Sequence, residues 1–356
     1  MTSVVLSFII AFAICYAVVP MWIKSCTKWN LFEKGGERKH HVRRIPSMGG
    51  LAIFASVSVS FLTVADCANH PEIKFLMASS TALFFTGFFD DLLDINALKK
   101  LFIQIIAACI VVSNGISLNA TETLFGVSTI SASFNFFISV FVILFITNAF
   151  NFIDGLDGLA SFTGMLITSV FGMIFILNDQ YAYSGLSFAI AGALLAFLFF
   201  NFEPAKVFMG DSGSLVVGFS ISVLAIQLFN LSMQTGNAAF YASPNLVAAT
   251  LFILIFDLSR VSFIRIANGG SPFKADRSHI HHMIARQQFG HRGTTFIMVS
   301  YNAFFILLAL IFPSASFVTF LIACYAFAIF LINNKVAGII AGVRNKFVGA
   351  PKLEVN

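Results

Sequence analysis

The chain has 356 residues, of which 58% are hydrophobic and only 10% are charged, and its formal net charge is +5. Soluble globular domains carry about 25% charged residues, so this composition excludes a water-soluble domain and indicates a polytopic membrane protein. The five cysteines have no Cys-x-x-Cys spacing, which argues against a zinc site or a disulfide framework. We expect no nucleic-acid partner.

About eleven apolar runs are long enough to cross the hydrocarbon core of a bilayer, which takes roughly 17 to 25 residues. They lie at 4–23, 48–65, 73–89, 101–118, 132–152, 161–178, 184–202, 214–233, 245–264, 294–312 and 315–333. The first run has no basic residue before it and a basic segment after it, which predicts a retained span with its N-terminus outside. The predicted fold is an all-α polytopic bundle of about eleven transmembrane helices. It is a single domain of residues 1–356 with a cytoplasmic tail at 334–356.

Basic residues separate sharply between the two sides of this topology. Of the 21 Lys and Arg residues, only Lys74 falls on the predicted outer side, as expected when positive charge marks the cytoplasmic loops. Nine acidic residues also lie at inner span ends or in inner loops: Asp90, Asp91, Asp94, Asp154, Asp157, Glu203, Asp211, Asp257 and Asp276. We therefore expect the active-site loops to face the cytoplasm.

The first inner segment carries Arg38, Lys39 and His41, followed by the run Pro46-Ser47-Met48-Gly49-Gly50. Basic juxtamembrane residues often mark topology and contact anionic lipid. Backbone N–H groups beside these cations would equally suit a phosphate. The sequence leaves both interpretations open.

Span three ends in Asp90-Asp91-Leu92-Leu93-Asp94. Adjacent carboxylates repel each other unless a cation or a proton lies beside them. Such a cluster suits Mg²⁺ with a diphosphate, because Mg²⁺ takes one or two carboxylates and completes its shell with water and phosphate oxygens. The simpler alternative is a solvated loop.

Residues Asn148 to Ala160 place two carboxamides and two carboxylates directly after an apolar run. On a helix Asn148, Asn151 and Asp154 would share one face, and the glycines at 155 and 158 would let the helix break. Polar groups this dense at the end of a span indicate a functional site. A helix end that merely reaches water is the alternative.

Two further inner segments carry candidate residues. Span seven ends at Asn201, and Gly210-Asp211-Ser212-Gly213 opens span eight, where a helix N-terminus would place a carboxylate beside free N–H groups. The longest inner loop carries Arg265, Arg277, His279, His281 and His282. His-x-His-His without a Cys or Glu partner is a poor zinc spacing. It fits a diphosphate-sugar pocket better, with the arginines as bidentate phosphate clamps.

These motifs resemble a known family. Asp90-Asp91, Asn148-x-x-Asn151-x-x-Asp154-Gly-x-Asp157-Gly, Asn201, Phe208-Met-Gly-Asp211-x-Gly-Ser214 and His279-Ile-His281-His282 are similar in type and order to the polyprenyl-phosphate N-acetylhexosamine-1-phosphate transferases. The resemblance implies an eleven-span bundle. It also implies transfer of a sugar 1-phosphate from a UDP-sugar to a polyprenyl phosphate with Mg²⁺, or Mn²⁺ in its place.

The His loop, with Ser271-Pro272-Phe273 and Asp276-Arg277 before it, is similar to the bacterial branch of this family that uses UDP-N-acetylglucosamine and undecaprenyl phosphate. That branch implies a multi-pass protein of the bacterial inner membrane that initiates O-antigen or a related surface polysaccharide. One departure is Ser47, where the branch that uses a muramoyl pentapeptide tends to have threonine. The sequence leaves open whether two copies of the chain form a homodimer.

The resemblance also implies residue roles. Asp211 would bind the metal with Asn151 as a second ligand, and Asp90 and Asp91 would serve the acceptor phosphate and the metal. The predicted substrate-binding residues are Asn148, Asp154, Asp157, Asn201, Arg265, Arg277, His279, His281, His282, Arg38, Lys39 and His41.

An alternative hypothesis from another functional class is an ion-coupled transporter, because carboxylates in membrane proteins often mark proton or substrate paths. Transporter sites lie near the bilayer midplane between structural repeats. In this sequence no span centre holds an ionisable residue and no repeat is visible. A lipid-sorting or scaffold protein would leave the Asp and His clusters unexplained, so a metal-dependent sugar-1-phosphate transferase is the favoured prediction.

Overall fold

A computed structural model describes residues 1–29, 31, 45–64, 70–119, 131–234, 243–269, 279–285 and 289–333. Within these ranges the chain forms thirteen helices and no strand. They are α1 (Thr2–Trp29), α2 (Gly50–Val64), α3 (Glu72–Leu93), α4 (Ala97–Ser113), α5 (Ala132–Ile153), α6 (Leu159–Leu177), α7 (Tyr181–Asn201), α8 (Asp211–Gln234), α9 (Pro244–Thr250), α10 (Phe252–Ala267), α11 (Ile280–Ile284), α12 (Gly290–Ile311) and α13 (Phe317–Asn333). The all-helical membrane architecture is as predicted.

Six of the described helices are long and apolar enough to cross a membrane: α1, α5, α6, α7, α8 and α12. The bent pair α9 and α10 raises this number to seven when it is counted as one span. The structure therefore supports a polytopic bundle but not the predicted number of eleven spans. Helix α2 has only 15 residues, or about 22 Å at 1.5 Å per residue, whereas the hydrocarbon core is about 30 Å thick.

Helix α8 lies at the centre of the bundle. In its apolar stretch 83% of the residues are buried, against 28% for α1, which faces outward along most of its length. A helix that is apolar all round must be buried in protein or in lipid, and α8 is buried in protein. Its N-terminal residue, Asp211, is therefore held by several surrounding helices.

The span predicted at 245–264 is broken. Helices α9 and α10 meet at an angle of 66°, and the break is bridged by Asn302 of α12, which is fully buried. The Asn302 side chain donates to the carbonyl of Thr250 at 3.0 Å and accepts from the N–H of Ile253 at 3.2 Å. A helix break inside a membrane protein persists where other groups satisfy its freed backbone.

The chain also breaks where the glycines at 155 and 158 predict it. Helix α5 ends at Ile153 and α6 begins at Leu159, with Gly158 in the left-handed region at φ +76. Four predicted site residues, Arg38, Lys39, His41 and Arg277, lie outside the described residues, as does the predicted tail at 334–356.

Candidate active site

Several helix ends converge on a cavity of about 570 Å³. The C-terminal ends of α3 and α5, the turn before α6, and the N-terminal ends of α8 and α12 all contribute to its wall. Six carboxylates line it: Asp90, Asp91, Asp94, Asp154, Asp157 and Asp211. Asn151, Asn201 and His291 line it as well. Seven of the predicted site residues thus share one cavity.

The ammonium group of Lys100 lies between two of these carboxylates. Its Nζ is 2.9 Å from Oδ2 of Asp90 and also forms a close ion pair with Asp211. The other oxygen of Asp90 accepts from the N–H of Ile95 at 2.8 Å. Lys100 lies in the first turn of α4, so the turn between α3 and α4 folds the cation back onto the carboxylates.

Asn151 links α5 to the start of α8. Its Nδ2 donates to Oδ1 of Asp211 at 2.9 Å and to the hydroxyl of Ser214 at 2.8 Å. Asp211 is therefore contacted by an amide on one oxygen and by Lys100 on the other. This contact joins residues 60 positions apart in the chain.

Asp91 holds the backbone at the N-terminus of α8. Its Oδ1 accepts from the N–H of Asp211 at 2.8 Å, and its Oδ2 accepts from the N–H of Ser212 at 3.1 Å. The first N–H groups of a helix have no partner within the helix, and a carboxylate also interacts favourably with the positive end of the helix dipole. Asp91 thus acts as a cap supplied by another helix.

The charged groups at this end of the bundle influence one another. Burial raises the pKa of Asp91 to about 7. Burial also raises the pKa of Asp90, with the hydrogen bond from Lys100 opposing the increase. Burial lowers the pKa of Lys100, but the carboxylates of Asp211 and Asp90 outweigh it and the net change is upward. The site therefore favours positive charge among its carboxylates.

The donor set fits a magnesium ion. Among the described residues no three His, Cys, Asp or Glu side chains are placed to hold a metal by themselves. Mg²⁺ does not need such a group, because it takes one or two carboxylates and completes its shell with water and phosphate oxygens. Asp211 supplies a carboxylate oxygen of this kind, and the position of Lys100 shows that a cation is accommodated beside Asp211. The Nδ2 of Asn151 faces Asp211 in this structure, so its amide would offer an oxygen to the same ion after rotation of the amide group.

The remaining aspartates of the cavity lie around the turn before α6. Asp154 follows the last residue of α5 and lines the cavity. Asp157 accepts from the N–H of Ala205 at 3.1 Å, and its Oδ1 is 3.2 Å from Nδ1 of His291. His291 belongs to α12, so the cavity wall joins elements far apart in the sequence.

The two other predicted asparagines are bonded to the protein itself. Asn201 accepts from the N–H of Gly158 and the hydroxyl of Ser161, and it donates to the carbonyl of Val207. Asn148 donates to Gln104 and is not part of the cavity wall. Asn201 thereby ties the turn before α6 to the segment that leads to α8.

The histidines lie behind the cavity wall. His279 is 2.9 Å from the carboxylate of Asp257, His281 is fully buried, and the ring centroids of His281 and His282 are 4.3 Å apart. Burial lowers the pKa of His281 to about 4, so its ring is neutral at pH 7. Arg265 is buried in α10, and neither it nor these three histidines, 279, 281 and 282, line the cavity.

Three residues of this region are absent from the predicted site set: Lys100, Asp257 and His291. Lys100 lies in the first turn of the helix that follows the Asp90-Asp91 pair, and a basic residue at that place was a usable signal. Asp257 lies inside the apolar run predicted at 245–264, and a carboxylate there indicates a buried partner. His291 carries no local pattern, so only the tertiary structure brings it to Asp157.

Sequence comparison finds a matching family profile and several similar proteins. Residues 73–229 match the profile of glycosyl transferase family 4. The chain is 28% identical to a probable undecaprenyl-phosphate N-acetylglucosaminyl 1-phosphate transferase of Bacillus subtilis (strain 168), covering 96% of this chain and 94% of that protein. It is 28% identical to the undecaprenyl-phosphate alpha-N-acetylglucosaminyl 1-phosphate transferase of Yersinia pestis (93% and 88%). It is 29% identical to the protein of the same name in Escherichia coli (strain K12) (79% and 76%).

Proposed function

We propose that this chain, whose residues 73–229 match the profile of glycosyl transferase family 4, is the enzyme that transfers N-acetylglucosamine 1-phosphate from UDP-N-acetylglucosamine to undecaprenyl phosphate. The products are undecaprenyl-diphosphate-N-acetylglucosamine and UMP. The observation that carries the proposal is the carboxylate cavity with Lys100 between Asp90 and Asp211, at one end of an apolar bundle. The names of relatives that match most of the chain support the same reaction.

In the net reaction a P–O bond forms between the acceptor phosphate and the phosphorus attached to the sugar. The P–O bond from that phosphorus to UMP breaks, and UMP leaves with the electron pair. The acceptor is a phosphate monoester whose second pKa is about 6, so it is mostly a dianion at neutral pH. A base at Asp90 therefore contributes little, and positioning and charge neutralisation provide most of the catalysis.

The residues of this chain divide that work. Asp211 and Asn151 would hold the Mg²⁺, with Asp91 beside them. Mg²⁺, when bound, neutralises the charge of the diphosphate. Lys100 supplies a positive charge to the acceptor phosphate while Asp90 orients its ammonium group. Asp154, Asp157 and Asn201 shape the nucleotide end of the cavity.

The basic side chains complete the neutralisation in this proposal. Six carboxylates would repel the phosphates of both substrates unless cations offset them. Arg265 contributes positive charge from behind the wall. The histidines 279, 281 and 282, of which His281 is neutral at pH 7, support the wall from the same side, and Asn148 supports it through α5. Arg38, Lys39, His41 and Arg277 are assigned to the substrate phosphates on sequence grounds alone.

The proposal extends to the location and the role of the enzyme. All eleven apolar runs would cross the bacterial inner membrane, with the N-terminus in the periplasm and the C-terminus and the cavity on the cytoplasmic side. The lipid-linked product would initiate O-antigen or a related surface polysaccharide. The acceptor then reaches the cavity from the bilayer, and the UDP-sugar reaches it from the cytosol.

The test incubates the purified protein with undecaprenyl phosphate, Mg²⁺ and a panel of UDP-sugars, and identifies the lipid product by mass and the UMP by chromatography. We expect product with UDP-N-acetylglucosamine. If product forms only with another UDP-N-acetylhexosamine, the proposed donor is wrong and the proposed reaction class is retained. The absence of any lipid product would overturn the proposal.

The matched pair of variants is Asp211→Asn and Asp179→Asn. Asp211→Asn removes the proposed metal carboxylate, and we expect a loss of activity of about 100-fold or more, the range seen when one preorganised electrostatic group is removed. Asp179 is exposed and bonds Tyr181, so the same chemical change there should leave activity unchanged. Wild-type activity in Asp211→Asn would contradict the role of Asp211.

A further inference from the structure

Asp257 is a buried carboxylate that, among the described residues, contacts its own helix and the histidine segment, defined here as residues 279–282. It lies in α10 and is only 5% exposed. Its Oδ2 is 2.9 Å from Nδ1 of His279, and its Oδ1 accepts from the N–H of Ile280 at 2.9 Å. The guanidinium of Arg260 is 3.8 Å from Oδ1.

These contacts fix the start of α11. The helix has only five residues, which is too short to be stable by itself in water. Ile280 is its first residue, and Asp257 accepts the N–H that the helix leaves without an internal partner. The position of the histidine segment therefore depends on one carboxylate from α10.

The same carboxylate fixes which nitrogen of His279 carries the proton. A carboxylate accepts hydrogen bonds, so Nδ1 of His279 must donate. In the neutral ring Nε2 is then left as an acceptor, and in the charged ring it is a donor. The ring is also held by Phe152, whose centroid is 5.4 Å away in a stacked arrangement. Phe152 follows Asn151 in α5, so His279 is braced against the helix that contacts Asp211.

The histidine segment touches the cavity wall. A Cβ built on Gly155 would lie 2.8 Å from Nε2 of His281, and Gly155 lines the cavity. The ring centroids of His279 and His281 are 5.7 Å apart. A displacement of His279 would therefore be felt at His281 and at the wall beside Asp154.

We propose that Asp257 is a positioning residue that fixes the tautomer of His279 and the position of the histidine segment against the cavity wall. The inference rests on the proposed function for its catalytic consequence. Its structural content, the proton on Nδ1 and the docking through Ile280, stands independently of any substrate. Asp257 does not line the cavity. It acts mainly through His279 at 2.9 Å, and Nδ1 of His281 lies farther from the same oxygen, at 4.0 Å.

The first measurement needs no variant and no substrate. The ¹⁵N spectrum of labelled histidine in the purified full chain, assigned by comparison with His279→Gln, reports which ring nitrogen carries the proton. We expect the proton on Nδ1 of His279. A proton on Nε2 with Nδ1 bare would overturn the proposal, whether or not the enzyme has the proposed activity.

The second measurement uses Asp257→Asn. The amide oxygen can still accept from Ile280, but its NH₂ group now faces Nδ1 of His279, which must become an acceptor. We expect the proton to move to Nε2 and kcat to fall about 10- to 100-fold with a smaller change in KM. Asp179→Asn is the matched control.

The third measurement combines Asp257→Asn with His279→Ala. Residues that act through one another are non-additive, so Asp257→Asn should cost less than about 3-fold in activity when His279 is already alanine. If the activity losses of the two single variants multiply in the double variant, Asp257 does not act through His279. If the wild-type protein has no transferase activity, only the proposed function is contradicted, because the spectrum still tests the tautomer of His279.

Discussion

At the scale of single residues, Asp91 shows how one carboxylate can position another through the backbone. Both of its oxygens accept from the backbone of α8, at Asp211 and Ser212. Gly210 makes the approach close, because a Cβ there would lie 2.6 Å from Oδ2 of Asp91 and the backbone has φ +72. Asp91 therefore determines where Asp211 is held.

This geometry predicts that Asp91→Ala and Gly210→Ala have similar effects. Each would release the N-terminus of α8, at a cost of about 1–2 kcal/mol for the lost cap. We expect both to lower the unfolding temperature by a few degrees and to lower kcat about 10- to 100-fold, because Asp211 is displaced. Thermal unfolding in detergent and initial rates of UMP release measure the two effects.

The comparison separates two roles of Asp91. A cap is broken by either substitution, whereas direct contact with metal or substrate is broken only by the loss of the carboxylate. An inactive Asp91→Ala beside a fully active Gly210→Ala would contradict the capping role.

At the scale of helices, the break between α9 and α10 illustrates what a membrane protein must satisfy. The two helices meet at 66°, and Asn302 from α12 bonds two backbone groups at the break, the carbonyl of Thr250 and the N–H of Ile253. Asn302 is 0% exposed, so bulk water is excluded from this position and cannot replace its two hydrogen bonds. The bend that carries Asp257 therefore depends on a side chain from another helix.

Asn302→Leu keeps the approximate volume and removes both hydrogen bonds. Each buried backbone group left without a partner costs about 1–3 kcal/mol, so the two groups together should cost about 2–6 kcal/mol, seen as a clear fall in unfolding temperature. Asn114→Leu is the control, because Asn114 is exposed and bonds a carbonyl of its own helix at Ile110. Equal unfolding temperatures in the two variants would show that the break has another source of stabilisation.

At the scale of the whole molecule, the charge distribution predicts the orientation. Since Lys74 is the single basic residue on the predicted outer side, the cavity should face the cytoplasm. Asp179→Cys, in an exposed turn, should react with a membrane-impermeant thiol reagent on intact cells. Leu93→Cys, 68% exposed at the cavity end of α3, should react only after lysis.

These labelling experiments use a chain in which Cys67 and Cys109 are replaced by alanine. If Leu93→Cys is labelled on intact cells and Asp179→Cys is not, the orientation is the reverse of the predicted one. The number of spans, for which the structure supports six or seven by length and composition, stays a prediction at eleven. The same labelling at each loop decides it.

The sequence by itself determined the all-helical membrane architecture and the types of side chain in the cavity. Apolar runs of this length have one stable solution in a bilayer, because a helix satisfies its own backbone. Polar clusters at the ends of those runs then stood out without knowledge of any contact. Asp90, Asp91, Asn151, Asp154, Asp157, Asn201 and Asp211 were identified in this way, and the structure brings them to one cavity.

Only the tertiary structure decided what each of these residues touches. Lys100 reaches Asp211 across 111 positions, Asp91 caps α8 across 120, and Asp257 meets His279 across 22. The broken span and the internal bonds of Asn201 were likewise not visible in the sequence. The physical reason is that hydropathy specifies where a helix forms, whereas its rotation and its neighbours depend on packing among many helices that are apolar on all sides and carry almost no directional pattern.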